Sequence, residues 1–326
     1  MKVGLQIPNF TFPNGPEGFA KDIKDIAITA EKAGFYSIWV MDHFFQLGRS
    51  DGLKQRPGDY ILGPAEDDMH EGYSLLNYIA ALTRRVKLGT LVTGNIYRHP
   101  GVLVKTVTTL DIMSGGRAYF GTGAGWFERE SIGLGVPFYT WKIRFEMLEE
   151  SLQIAKQMWS DNNGEFMGKH YKLKETLCNP QPIQKPHPPI LIGGMGPKKT
   201  LRFVAKYADG CNLFTRAGLG TVKNALNTLR KHCEDVGRSY YEIEKTTLGN
   251  VFLGHSELPD SMEWKGRNDV TYKSRLLKTA EETIDHLKEL AKIGIDHAIF
   301  NMRYPLDQYK PLEIFQNEII PAVSDM

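Results

Sequence analysis

Eight short runs of apolar, β-branched or aromatic residues recur along this chain, and nearly every one is followed by a segment of helix length. The runs are Val3 to Ile7, Ser37 to Met41, Val86 to Val92, Arg117 to Gly123, Pro189 to Ile192, Gly210 to Phe214, Lys245 to Leu253 and His297 to Asn301. Apolar spacing predicts helices over Phe19 to Ala33, Ser74 to Thr83, Val102 to Met113, Trp141 to Trp159, Lys198 to Tyr207, Thr221 to Val236, Ala280 to Ile293 and Leu312 to Val323. Parallel strands need crossovers of about this length, so the alternation places the chain in the α/β class. Eight units predict a (β/α)8 TIM barrel: a single domain over 1–326 with insertions near 46–73, 126–140, 161–189 and 256–270. An open doubly wound sheet is the weaker reading, because no Gly-x-Gly-x-x-Gly directly follows the first strand.

Composition removes several function classes. Hydrophobic residues make up 41% and charged residues 24%, the balance of a globular protein with an ample core. A net charge of +2 offers no footprint for nucleic acid or an anionic membrane surface. Cys178, Cys211 and Cys233 lie far apart and show no metal-ligand spacing, so neither a structural zinc nor a disulfide scaffold is expected. No leader-like or membrane-spanning run is present, and a cytoplasmic protein without a metal is the expectation.

In a barrel of this type, chemistry sits at the carboxyl ends of the strands. The third and fourth runs end in Thr93-Gly94-Asn95 and Gly121-Thr122-Gly123-Ala124-Gly125, residues small enough to let a flat ligand approach the backbone. The second run ends in Asp42-His43, where a histidine either acts as acid or base near neutral pH or is satisfied by the following loop. Gly193-Gly194-Met195-Gly196 precedes a helix, with Lys198, Lys199 and Thr200 behind it. Three glycines exceed what a turn needs, and a phosphate held by backbone N–H groups at the helix start is the favoured reading. Arg98, at the start of the third helix, suits either an anionic ligand group or a structural salt bridge. Trp126 stands at the mouth of the fourth strand, available for stacking or for packing the insertion. Glu128, Arg129 and Glu130 read as a solvated helix start.

Several segments together resemble the luciferase-like flavin and deazaflavin oxidoreductase superfamily. They are Val40 to Gln46, Leu88 to Gly94 with Tyr97 to Pro100, Leu110 to Arg117, Gly121 to Trp126, and Ile192 to Gly196. They look most like the branch that uses the deazaflavin coenzyme F420, and from about residue 216 onward the resemblance is loose. It implies a tricyclic ring over the barrel mouth, resting on a non-prolyl cis peptide in the third strand, placed here between Thr90 and Leu91. By position, Asp42 would touch the ring, Thr93 would bind the ring or ribityl chain, and Gly193, Gly194, Met195 and Gly196 would hold the phosphate. Gly123 and Ala124 would complete the cofactor floor, His43 would move the proton, and Phe45 and Trp126 would line the substrate pocket. Members that oxidise a sugar phosphate carry a Glu after Gly-Thr-Gly, where this chain has Ala124. That departure argues against a sugar-phosphate substrate.

The expected function is hydride transfer between C5 of F420 and a small organic substrate, in a homodimer. An FMN-dependent monooxygenase is the alternative within the superfamily. A metal- or acid/base-dependent hydrolase would need a carboxylate and histidine cluster on several strand ends, and only Asp42-His43 is so placed. A barrel that binds deazaflavin without turning it over is the non-enzymatic alternative.

Overall fold

The computed structural model describes residues 1–47, 65–265, 271–302 and 310–326. Part of the first expected insertion (48–64) and of the last (266–270) lies outside the described residues. In chain order the elements are β1 (Lys2–Ile7), α1 (Gly15–Lys32), β2 (Ser37–Val40), α2 (Gly72–Leu82), β3 (Lys87–Thr90), β4 (Thr93–Gly94), α3 (Pro100–Ser114) and β5 (Phe120–Gly123). There follow α4 (Glu128–Gly133), α5 (Trp141–Met158), β6 (Phe166–Met167), β7 (Lys172–Leu173), β8 (Ile190–Gly193), α6 (Thr200–Tyr207), β9 (Gly210–Phe214) and α7 (Leu219–Val236). The chain continues with β10 (Glu244–Asn250), β11 (Ser261–Lys265), β12 (Thr271–Arg275), α8 (Ala280–Lys292), β13 (His297–Asn301) and α9 (Lys310–Ile314). A π-helical turn over Phe315–Ile319 leads into α10 (Ile320–Val323).

The sheet order is β3-β2-β1-β13-β10-β9-β8-β5-β4, with every pairing parallel. Since β3 and β4 are consecutive pieces of one strand, the order returns to its start and the sheet is a barrel of eight staves. A bridge between Leu88 and Ala118 ties the lower half of the broken stave to the next one. The doubly wound alternative is therefore excluded.

Most apolar side chains pack between staves and outer helices. A smaller cluster of Trp39, Leu91, Tyr119, Leu191 and Ile299 fills the barrel interior. Below it, polar groups close the bottom. Trp39 Nε1 donates to Ser37 Oγ at 2.7 Å, and Ser37 Oγ lies 2.9 Å from His297 Nε2. Glu244 accepts from Tyr119 OH at 2.9 Å and from Lys2 Nζ at 2.8 Å. A barrel filled this way is a plug, so a ligand has only the upper mouth to enter.

Local chemistry explains the element ends. Pro16 and Pro100 sit in the first turns of α1 and α3, where the missing N–H is not needed, so both helices begin earlier than apolar spacing alone predicts. Gly115 and Gly237 end α3 and α7 in the left-handed conformation. Thr279 and Glu282 form a reciprocal capping box at α8. The insertion after α5 pairs β6 with β7 as a short hairpin, and the one after β10 pairs β11 with β12. The seventh stave stops at Asn250, short of the expected Leu253, and the chain turns away towards that second hairpin.

Gly121 marks the tightest approach between staves. A Cβ built there would lie 1.9 Å from the Thr90 carbonyl oxygen, a backbone atom with no rotamer to escape through. Gly121→Ala is expected to destabilise the fold by roughly 1–3 kcal/mol or more, as overpacking does. The midpoint of urea unfolding checks it; an unchanged midpoint would contradict the close-approach reading.

Candidate active site

The third stave leaves the sheet at the barrel mouth and returns to it. Leu91 N still donates to Val40 O at 2.9 Å, so Leu91 stays in register, and pairing resumes at Thr93 with Thr122. The non-prolyl cis peptide lies between Leu91 and Val92, one bond later than the resemblance placed it. The ladder bond to Val40 explains the difference, because it holds Leu91 as part of the stave. Val92 is thus the bulging residue, and its methyl groups lie beside Gly123 and Gly193. A Cβ at either glycine would come within 3.1 Å and 2.9 Å of Val92 Cγ2 respectively. Strand-end glycines were legible in the sequence; that they make room for Val92 was not.

Thr90 and Thr93, on either side of the bulge, are fully buried with their side chains towards α2. Their hydroxyls lie 2.8 Å apart, Thr90 Oγ1 donates to Gly121 O at 3.2 Å, and Tyr73 OH lies 3.0 Å from Thr93 Oγ1. Burial, with the nearby Asp42 charge, pushes the Tyr73 phenol up to about 12, so it is a neutral member of this network.

Asp42 has no exposed surface, and both its oxygens are gripped by the Arg98 fork at 2.6 and 2.9 Å. Arg98 also bonds Glu71, which caps α2 through Ser74 N at 2.6 Å. Of the two readings left open for Arg98, the salt bridge is the one observed. The resemblance sets the Asp42 side chain against the ring; in the structure its carboxylate is also held by Arg98.

His43 is 8% exposed, and its Nδ1 lies 2.6 Å from Glu130 Oε1. Tyr97 OH donates to the same oxygen, while Phe44 N and Phe45 N donate to Glu130 Oε2 at 2.6 and 3.3 Å. Glu130 is completely buried, a correction to its reading as part of a solvated helix start. Burial raises the carboxyl, but the bonds from His43, Tyr97 and the Phe44 amide outweigh it and hold Glu130 below the usual carboxylate range. Glu128 and Arg129 do remain exposed. A Glu-Arg-Glu run looks uniformly solvated; only the α4 axis, which turns Glu130 and Ser131 inward, separates the three. Trp126, Phe127 and Tyr97 surround the imidazole, with ring centroids 5.8, 5.9 and 6.4 Å away. Trp126 is half exposed at the rim. Phe45 packs over Gly133, where a Cβ would meet its ring at 2.9 Å.

At the end of β8, Gly194 has φ +123°, a conformation that only glycine adopts easily, and its N–H donates to Asn212 O at 3.0 Å. Met195 accepts a contact from Phe214 N at 3.3 Å, which fixes the turn. A Cβ at Gly196 would meet Thr200 Oγ1 at 2.7 Å. No side chain caps the start of α6, and Lys198 and Lys199 are exposed beside it. Gly123 and Gly193 adjoin Val92, so the bulge links the stave-three floor to this turn. Ala124 is half-buried and offers no acid at its position.

The luciferase-like monooxygenase model matches residues 1–258. The chain belongs to that family. An F420-dependent glucose-6-phosphate dehydrogenase from Microbacterium testaceum is 31% identical, covering 98% of this chain and 98% of its own. One from Amycolatopsis mediterranei is 25% identical over 99% of this chain and 98% of its own. Among solved structures, an F420-dependent secondary alcohol dehydrogenase in complex with an F420–acetone adduct superposes with TM-score 0.79 at 21% identity, covering 99% and 98% of the two chains. The EDTA monooxygenase of Chelativorans sp. BNC1 superposes at 0.75 with 13% identity, over 100% and 94%. In this luciferase-like chain, then, the barrel is shared with dehydrogenases and monooxygenases alike, and no helix among the described residues is long and apolar enough to cross a membrane.

The Asp42–Arg98 pair gives a test of what holds the mouth together. Arg98→Ala leaves a buried carboxylate without its fork and is expected to lose about 3–5 kcal/mol of stability. Arg98→Lys keeps the charge but not the two-pronged geometry, and should fall between the two. Thermal or urea unfolding reads both; equal stability of all three proteins would remove the pair from any structural role.

Proposed function

We propose that this protein is an F420-dependent oxidoreductase that transfers a hydride between C5 of the deazaflavin and a small organic substrate. The observation that carries this reading is the imidazole of His43, held by Glu130 at the mouth, near an apolar bulge flanked by glycines. The F420-dependent relatives support the choice of cofactor.

The residues present fit such a group. Val92 with Gly123 and Gly193 offers a floor without side-chain obstruction, and Thr90, Leu91 and Thr93 form the strand beneath it. The turn of Gly193, Gly194, Met195 and Gly196, with the uncapped start of α6 and Lys198 and Lys199, suits the cofactor phosphate. Bound there, the deazaflavin supplies the two-electron hydride chemistry. The protein's own part is proton transfer at His43, orientation by the bulge, and exclusion of water by Trp126, Phe127 and Phe45. Asp42 acts by anchoring Arg98 and the loop that carries His43. Ala124 in place of a glutamate argues against a sugar phosphate such as glucose 6-phosphate as the substrate.

We also infer a cytoplasmic homodimer. All three cysteines are free and buried, and α3 carries an uncharged exposed stripe of Val102, Thr109 and Met113. Light scattering at micromolar concentration is expected to give twice the chain mass.

Titration with F420 and, separately, with FMN tests the cofactor: tight F420 binding and weak FMN binding are expected. The reverse order would move the protein to oxygen-dependent flavin chemistry. His43→Ala should lower turnover by about 100-fold or more while leaving F420 affinity nearly intact, and glucose 6-phosphate should give no F420 reduction.

A further inference from the structure

We infer that Glu130 is the positioning residue for His43, fixing the imidazole with Nδ1 protonated and Nε2 presented to the substrate as a proton acceptor. The inference rests on the oxidoreductase reading for its kinetic consequences, but not for its structural ones.

Glu130 accepts four hydrogen bonds and makes none as donor. On Oε2 the two partners are the peptide N–H groups of Phe44 and Phe45, which can only donate. On Oε1 the partners are Tyr97 OH and His43 Nδ1. Burial and the adjacent Glu130 charge raise the Tyr97 phenol well above its usual range, so it stays neutral and donates. A carboxylate so surrounded has no proton to offer the ring. Nδ1 must therefore carry a hydrogen, and in the neutral ring the lone pair is on Nε2. Among the described residues Nε2 has no hydrogen-bond partner; its surroundings are the rings of Trp126, Phe127 and Tyr97.

The same contacts tie the protein together mechanically. Two successive peptide N–H groups of the loop after β2 end on one carboxylate of α4, so Glu130 fixes both the ring and the backbone that bears it. Among the described residues, the charged and titratable groups around the imidazole are Glu130 and Tyr97 directly, and Asp42 with Arg98 and Glu71 beyond them. No acid stands at Ala124 on the strand end in front. Among the described residues, the carboxylate in contact with the imidazole thus lies on its Nδ1 side.

In the oxidising direction this arrangement suits an alcohol. The carbinol C–H bond breaks with its electron pair, which leaves as hydride to the deazaflavin oxidant. The O–H bond breaks, its proton passes to Nε2, and the carbonyl bond forms. Glu130 offsets the positive charge that the imidazole gains. With His43 as the base and no second acid in front of it among the described residues, kcat/KM should rise with pH to a plateau, without a falling alkaline limb.

Histidine 15N spectra of the ligand-free protein test the tautomer without any cofactor, with His43→Asn assigning the signal. At pH 8 the expected pattern is protonated Nδ1 and unprotonated Nε2; protonated Nε2 would overturn the inference. Glu130→Gln should move that signal towards a tautomer mixture, lower kcat by about 100-fold, leave KM and F420 affinity within about threefold, and shift the acid limb to lower pH. Glu130→Asp should restore part of the rate, and Tyr97→Phe, which keeps the carboxylate, should lose far less. Loss of rate and F420 affinity together, with an unmoved pH profile, would make Glu130 merely structural and refute the proposal. Failure of the wild-type protein to bind F420 would refute the cofactor reading alone, since the tautomer result stands apart from it.

Discussion

One interrupted stave governs this structure. A closed barrel satisfies each strand's hydrogen bonds through its two neighbours, so a strand that leaves the ladder must be replaced by something else. Here the chain departs after Leu91 and returns at Thr93. Glycines at 121, 123 and 193 make the detour possible by removing the side chains that would collide with Thr90 O and Val92. The hydroxyls of Thr90 and Thr93, which flank it, bond to each other and to Tyr73 of α2.

Around the bulge, two buried carboxylates are satisfied in different ways. Asp42 receives a guanidinium fork, which offsets the desolvation of a charge with no exposed surface. Glu130 receives an imidazole, a phenol and two peptide N–H groups. Neighbouring residues of one loop therefore differ: both oxygens of Asp42 are bonded to Arg98, whereas His43 is bonded through Nδ1 and has no partner on Nε2 among the described residues. Removing Arg98 from Asp42 leaves a buried acceptor unpaired, and each lost donor weakens the hold on Glu130, so the loop, α2 and α4 hold one another in place.

Much of the scaffold was legible because barrel units are local. Each stave is a short apolar run and each helix a periodic one, with Pro and Gly at the ends, and none of these signals needs a distant partner. The cis bond was placed one residue early because the decisive contact, Leu91 N to Val40 O, joins residues of different staves. Glu130 was misread for a similar reason: its four partners come from the loop after β2 and the turn after β4, far away in sequence.

The sequence by itself determined the fold class, the order of staves and helices, and the cluster of strand-end residues from which the site is built. Those follow from side-chain periodicity and from backbone freedom at glycine, which are properties of short segments. Tertiary structure alone decided which charges meet. Arg98 turned to Asp42 and Glu71 rather than outwards, and Glu130 turned inward beneath a histidine eighty-seven positions earlier. A charged side chain's role depends on what lies within about 4 Å of it, and no local pattern along the chain encodes that distance.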